Sequence, residues 1–260
     1  MNLNNGGLLH FISRNAFSET WQEYILYFGF VLIVIAAGYL LGSLNSSIIV
    51  SRVIFRDDIR KHGSGNAGLT NTLRTYGKGA ALLTLFGDIL KTALAVAVAG
   101  VLFGFNYVFG AISASDMCYV AGLFAVLGHI FPVYYKFKGG KGVLATATMV
   151  LILAPACFLI LFLVFVAVVA MSKFVSLGSV CAAVLLPVII SGYFRFPAGG
   201  PTPGLVALST IILAIIIVWC HRENLKRISE RTERKLSFKK KPEVTKPKED
   251  DKKNADGDGE

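Results

Sequence analysis

Residues 143–172 read VLATATMVLILAPACFLILFLVFVAVVAMS, thirty residues without a charge and with Ala154 and Pro155 at their middle. An α-helix needs about 20 apolar residues to cross roughly 30 Å of hydrocarbon, so this stretch is long for one crossing and short for two. Proline lacks the amide hydrogen and clashes with the preceding turn, which marks position 155 as a break. One helix or two here decides on which side of a membrane the rest of the chain lies.

The basic residues settle the count. Lys and Arg concentrate in three places: Arg52, Arg56, Arg60, Lys61, Arg74 and Lys78; then Lys136, Lys138 and Lys141; then the segment after His221, which holds 13 more. Short loops rich in Lys and Arg stay in the cytoplasm, so an even number of crossings must separate each cluster from the next. Other apolar runs cover 25–50, 80–104, 118–134, 174–193 and 204–221. With 143–172 broken at Pro155, the second and third clusters are four crossings apart; unbroken, they are three apart and the basic tail is stranded outside. The expected fold is therefore an all-α integral membrane protein of seven transmembrane helices with its N-terminus outside. Residues 1–24 form an external segment, 25–225 the helical domain, and 226–260 a basic, then mixed-charge cytoplasmic tail, helical to about Phe238 and disordered beyond.

Composition agrees. The 260 residues are 54% hydrophobic and 16% charged, with a mean hydropathy of +0.62, outside the range of soluble domains. Of the 16 acidic residues, only Asp57, Asp58, Asp88 and Asp116 lie between Ile25 and His221. A net charge of +10 in a soluble chain would suggest nucleic acid; here the cations flank apolar runs, where they set topology and meet lipid headgroups, so no nucleic-acid partner is expected. Cys118, Cys157, Cys181 and Cys220 lack metal spacing and read as small core residues. The run from Ile25 follows Glu19 and Glu23 instead of a basic segment, unlike a signal peptide.

Polar chemistry gathers in HGSGNAGLTNTLRTYGKG, residues 62–79. Gly63, Gly65 and Gly68 fit the dinucleotide spacing GxGxxG, and Asp88 lies 20 residues on. That fingerprint needs a preceding strand and a βαβ unit, and neither fits a membrane span followed by a basic stretch. The local physics remains: close glycines let backbone amides converge on an anion, Ser64, Asn66, Thr70 and Asn71 add neutral donors, and Arg74 adds a fixed cation. A second patch, 128–146, sets Lys138 and Lys141 around Gly139, Gly140 and Gly142, whose flexibility lets a lysine turn back toward a ligand. A third combines Ser43 and Asn45 with Arg52, the last two seven apart and so on one helical face. At the end of the last run, His221 and Asn224 share a face as a hydrogen-bonding pair, with no acidic partner for a metal. Asp88 and Lys91, three apart in an apolar helix, are expected to form a structural ion pair.

Together these residues resemble the bacterial acyl-phosphate-dependent glycerol-3-phosphate acyltransferases, the PlsY family. The resemblance is carried by GSLNSSIIVSR (42–52), DIRKHGSGNAGLTNTLRTYGKGAALLTLFGDILK (58–91), GHIFPVYYKFKGGKGVLAT (128–146), KFVSLGS (173–179) and HRENL (221–225). The chain departs at Asn45, where the family often has proline, at Leu69, where it has alanine, in having one residue fewer between Val143 and Ala145, and in a long stretch 105–116. The resemblance implies seven spans and a cytoplasmic active site in the bacterial inner membrane. It implies acyl transfer from acyl phosphate to the 1-hydroxyl of sn-glycerol 3-phosphate, giving 1-acylglycerol 3-phosphate and phosphate with no cofactor or metal. Ser43, Lys141, His221 and Asn224 would be catalytic. Substrate binding would fall to Arg52, Gly63, Ser64, Gly65, Asn66, Gly68, Thr70, Asn71, Arg74, Lys138, Gly139, Gly140 and Ser176. Partners would be the two substrates, membrane lipids and the soluble enzyme that makes acyl phosphate. A transporter for a phosphorylated anion would use similar loops but also needs polar groups at mid-depth on several spans, of which only Asp88 and Lys91 stand out, and no inverted repeat of the transporter kind is visible. A non-catalytic scaffold would leave both anion loops without a use.

Overall fold

The computed structural model describes residues 20–108, 111–114, 116–196 and 202–236, with single positions at 8, 12, 200 and 244. Ten α-helices account for most of the described chain: α1 (Thr20–Ser43), α2 (Ser46–Phe55), α3 (Leu69–Tyr76), α4 (Lys78–Phe103), α5 (Asp116–Ile130), α6 (Val143–Leu153), α7 (Pro155–Ser172), α8 (Val175–Arg195), α9 (Gly204–Cys220) and α10 (Arg222–Ser229). An antiparallel hairpin, β1 (Phe105–Val108) with β2 (Ala111–Ala114), pairs Phe105 with Ala114 between α4 and α5. It is confined to one short connection, and the architecture is all-α as expected.

The uncharged stretch 143–172 is two helices, α6 and α7, with Ala154 alone between them and Pro155 at the first position of α7. Proline is well placed there, because a first-turn amide has no helical partner to lose. Five segments are long and apolar enough to cross a membrane, namely Trp21–Phe55, Lys78–Phe103, Asp116–Tyr135, Pro155–Ser172 and Val175–Arg195. The α9–α10 pair, bent by 49°, makes a sixth. Helix α6 is apolar but has 11 residues, about 16 Å at 1.5 Å per residue, roughly half the hydrocarbon thickness. The molecule is a multi-pass membrane protein.

The first run is not one continuous helix. It breaks at Leu44 and Asn45, where the Asn45 side chain caps α2 by accepting the Ile48 amide at 3.1 Å. Asn45 and Arg52 therefore do not share the face of an unbroken helix; Asn45 is buried as a cap while Arg52 is half-exposed. Helix α1 lies against α5 at very short range. A methyl group on Gly42 would come within 2.1 Å of the Ala125 carbonyl oxygen, and one on Gly128 within 2.2 Å of the Tyr39 carbonyl oxygen. Where lipid is as apolar as the helix, close backbone packing at small residues replaces the hydrophobic effect as the force between helices.

The main core runs through Val96, Tyr119, Val126, Met149, Leu186, Ile190 and Leu213. Outward faces stay apolar, as lipid requires: Phe86, Leu163, Val188 and Ile215 are all exposed. Cys118 and Cys157 are buried, and none of the four cysteines forms a disulfide. Asp88 and Lys91 form the expected ion pair, with Nζ 2.8 Å from Oδ1 and both side chains buried. Lys91 also donates to the Leu44 carbonyl at 3.0 Å, the orphan acceptor at the helix break, and lies 2.9 Å from His129 Nδ1. After α10 the chain does not stay helical to Phe238: Thr232 and Glu233 amides both donate to the Arg227 carbonyl and turn the segment back on the bundle. The expected disordered tail, 237–243 and 245–260, and most of the external segment 1–24 lie outside the described residues.

Candidate active site

A cavity of about 640 Å³ opens at one end of the bundle. Its polar wall is built from four connections far apart in sequence: the glycine loop with Gly63, Ser64, Asn66 and Gly68 and the first turns of α3; Lys141 and Gly142 before α6; Ser176 at the start of α8; and His221, Asn224, Arg227 and Glu233 around α10. Its apolar wall descends between α6, α7 and α8, past Val150, Phe158, Phe162, Phe165, Ala183 and Leu186.

The first loop holds its shape through its own polar groups. Gly63 and Gly65 have φ of +58° and +72°, the left-handed region that favours glycine. Asn71, buried, accepts the Ser64 amide at 3.0 Å and donates to the His62 carbonyl at 3.0 Å. The amides of Gly65, Ala67 and Gly68 donate to the carbonyls of His62, Gly139 and Asn66. The expected nest of loop amides is therefore largely self-satisfied. What this loop offers an anion is the N-terminus of α3, whose first-turn amides have no helical partner, together with the exposed Thr70 and with Arg74 one turn on.

The second loop docks on the first. Gly139 and Gly140 amides donate to the carbonyls of Ile130 and His129, and the Gly139 carbonyl accepts the Ala67 amide. A methyl group on Gly140 would come within 2.0 Å of His129 Nε2 and 2.6 Å of the Ala67 carbonyl oxygen. These two glycines let the loops touch, and they do not line the cavity. Their contact delivers Lys141 to the wall, where its ammonium donates to Asn224 Oδ1. Burial pushes the Lys141 ammonium down to about 8, against the pull of the Glu233 carboxylate.

Ser176 Oγ donates to Glu233 Oε1 at 2.9 Å, as does Asn224 Nδ2 at 2.6 Å, and Arg227 Nε donates to Oε2 at 2.8 Å. Burial works against the charge on Glu233, but these bonds outweigh it and hold the carboxyl below its ordinary range. His221 and Asn224 share the wall without pairing with one another. His221 Nδ1–H donates to the Ile217 carbonyl at 2.8 Å; a carbonyl only accepts, so in the neutral ring Nε2 carries the free lone pair.

The structure thus brings Lys141, Ser176, His221, Asn224, Gly63, Ser64, Asn66, Gly68, Thr70, Asn71 and Arg74 to one cavity. Ser43, Arg52, Gly65, Lys138, Gly139 and Gly140 are not part of its wall. Ser43 is buried, donating to the Tyr39 carbonyl and accepting the Val133 amide. Arg52 pairs with Asp58 at 3.3 Å and lies 5.3 Å from the Tyr135 ring centre. Lys138 is exposed. Sequence reasoning missed Glu233, Arg227 and the cavity-facing His129. Glu233 sits in a segment of mixed charge that carries no local signal. Among the described residues no cluster of His, Cys, Asp and Glu could hold a metal ion.

Residues 32–231 match the model of the glycerol-3-phosphate acyltransferase family. The glycerol-3-phosphate acyltransferase of Mycoplasmopsis agalactiae is 40% identical over 225 residues, 78% of this chain and 92% of that one. That of Syntrophomonas wolfei is 41% identical over 202 residues, 77% of this chain and 94% of that one. Among solved structures, PlsY (YgiH), an integral membrane glycerol 3-phosphate acyltransferase in its glycerol 3-phosphate form, superposes with a TM-score of 0.67 at 31% identity, covering 80% of this chain and 96% of that one. Its lysophosphatidic acid form gives 0.65 at 30% identity, covering 80% and 95%. With the family model matched over residues 32–231 and 96% of the solved relative covered, the chain belongs to the glycerol-3-phosphate acyltransferase family.

Proposed function

We propose that this protein transfers an acyl group from acyl phosphate to the 1-hydroxyl of sn-glycerol 3-phosphate, giving 1-acylglycerol 3-phosphate and inorganic phosphate. The observation that carries the reading is the division of one cavity into a cationic, hydrogen-bonding end and an apolar channel between membrane helices. A molecule with a phosphate head and a long acyl tail fits both ends at once. The relatives support it, being glycerol-3-phosphate acyltransferases, one of them solved with glycerol 3-phosphate and with lysophosphatidic acid.

An acyl phosphate is a mixed anhydride with a good leaving group, so positioning dominates the chemistry, with the hydroxyl oxygen held about 3–3.5 Å from the acyl carbon. The hydroxyl oxygen bonds to that carbon, the bond from carbon to the bridging phosphate oxygen breaks, and phosphate departs. Lys141, Arg74 and the first-turn amides of α3 stabilise the two phosphates. Asn224 and Ser176 shape the site beside Lys141. The hydroxyl proton goes to His221 Nε2 or to an oxygen of the substrate's own phosphate, and wild-type rates in His221→Ala would remove histidine as the base. Ser43, Arg52 and Lys138 enter the proposal through the resemblance and not through the cavity wall. Measurable turnover by Ser43→Ala excludes an obligatory acyl-serine. No cofactor has a part in this scheme.

The same proposal places the site at the cytoplasmic face of the bacterial inner membrane, with seven crossings and the N-terminus outside. Its support is that Lys141, before α6, and Ser176, after α7, line the same polar end, so α6 and α7 together return the chain to its starting side. The test is phosphate release by the purified protein given palmitoyl phosphate and glycerol 3-phosphate, with palmitoyl-coenzyme A as parallel donor. Release needing both substrates, with lysophosphatidic acid appearing in step, is the expected result. Folded protein that binds glycerol 3-phosphate but makes no product from either donor would favour a transporter.

A further inference from the structure

We propose that Glu233 is a positioning residue of this enzyme, its carboxylate fixing the orientation of the Asn224 amide and so the side of the site to which Lys141 is drawn. The inference rests on the acyl-transfer reading of the cavity and deepens it.

The geometry is that of a built anchor. Arg231 takes a left-handed turn at φ +58°, the Glu233 amide donates back to the Arg227 carbonyl at 3.1 Å, and the Leu236 amide donates to the Lys173 carbonyl at 2.8 Å, at the junction of α7 and α8. The segment is pinned on both sides of Glu233, and the side chain between is 9% exposed. Its two oxygens accept three donors: Ser176 and Asn224 on Oε1, Arg227 on Oε2.

The orientation follows from hydrogen-bond inventory. An asparagine amide can turn over, since its oxygen and nitrogen are nearly equal in size, but an ionised carboxylate only accepts and an ammonium only donates. With Nδ2 directed to Glu233, Oδ1 must face Lys141, as observed. Without the carboxylate Nδ2 loses its acceptor, and the Lys141 ammonium, for as long as it is charged, is left as the one partner that favours Oδ1 on its side. The charge acts as well: Glu233 pulls the Lys141 ammonium toward its ordinary range, whereas Arg227 pushes it further down. The carboxylate thus favours the charged form that burial disfavours.

The experiment uses the purified full chain and the variants Glu233→Gln and Arg227→Met. Two quantities are read: the pH dependence of Lys141 carbamylation by cyanate, followed by mass spectrometry without substrate, and kcat, KM and pH profile with palmitoyl phosphate and glycerol 3-phosphate. In Glu233→Gln, Lys141 should titrate about one pH unit lower, the scale of one nearby partly screened charge, with the alkaline limb of kcat/KM moving alike. Arg227→Met should move both the other way, and kcat of Glu233→Gln should fall about tenfold or more. A purely structural tie moves neither titration. Unchanged titration and kcat in folded Glu233→Gln would overturn the proposal. So would a fall in KM at unchanged kcat, which would make the carboxylate a competitor for the substrate phosphate. Should Glu233→Gln fail to fold, Glu233→Asp carries the test: the charge is kept, so Lys141 titrates in place, while the shortened side chain lowers kcat, and a wild-type kcat overturns the claim. A wild-type protein without acyltransferase activity refutes the reading of the cavity, and the substrate-free titration still reports on Glu233.

Discussion

Replacing Gly140 by alanine tests whether contact between the two loops builds the site. The added methyl would meet His129 Nε2 at 2.0 Å and the Ala67 carbonyl oxygen at 2.6 Å. His129 cannot swing away freely, because its ring is buried against Lys91, 2.9 Å from Nδ1. The Ala67 carbonyl is backbone and also accepts Asn45 Nδ2 at 3.3 Å. Restoring ordinary contact at that carbonyl therefore needs about 0.8 Å of separation between the loops. Overpacking of this kind costs about 1–3 kcal/mol of stability. Lys141 is the next residue, and a displacement near 1 Å at a reacting centre costs roughly a hundredfold in rate, about 2.7 kcal/mol. The assay is phosphate release with saturating glycerol 3-phosphate, alongside thermal unfolding in detergent, with Gly79→Ala as control because nothing lies within 4 Å of a methyl group there. The control should match wild type in rate, while Gly140→Ala should unfold several degrees lower and lose most of its kcat. Wild-type rate and unfolding temperature in Gly140→Ala would refute the claim that the loops must touch.

Lys141→Met should lower kcat/KM by roughly ten- to a hundredfold, as expected for about 1.5–3 kcal/mol from a lost charge-assisted bond. Because burial holds the Lys141 ammonium at about 8, the cation is present below that pH and lost above it, so wild-type kcat/KM should decline as pH rises through about 8, which a pH–rate profile checks. Ala183, buried on the apolar wall, is the place to shorten the channel: Ala183→Phe should cut turnover of palmitoyl phosphate far more than that of a short-chain acyl phosphate, and equal losses would argue against an acyl chain there. Asp88→Asn strands the buried Lys91 and should cost about 3–5 kcal/mol in thermal unfolding, with much of it recovered in the double variant Asp88→Asn, Lys91→Met.

Much of this protein was legible along the chain. Hydropathy marks the membrane helices because lipid contact demands apolar side chains at every outward position, a requirement met locally and written run by run. Pro155 shows its break because the missing amide hydrogen is a property of that residue alone. The two glycine loops and their cations were visible for the same reason, and so was the Asp88–Lys91 pair, three residues apart on one helix.

Packing decided the rest. Asn71 and Asn45 look like ligand donors in sequence, yet one holds its own loop together and the other caps α2 and steadies Ala67. Arg52 and Lys138 are cations like Lys141, but only the Gly139–Gly140 contact with Ala67 and His129 carries Lys141 to the wall. Glu233 reaches Ser176 across 57 positions of chain, from a segment whose composition says only that it is charged. The sequence by itself determined the solvent each helix must face and the residues capable of binding an anion. The tertiary structure alone decided which of them meet, because convergence across such separations depends on how α6 to α10 pack, and no local pattern records that.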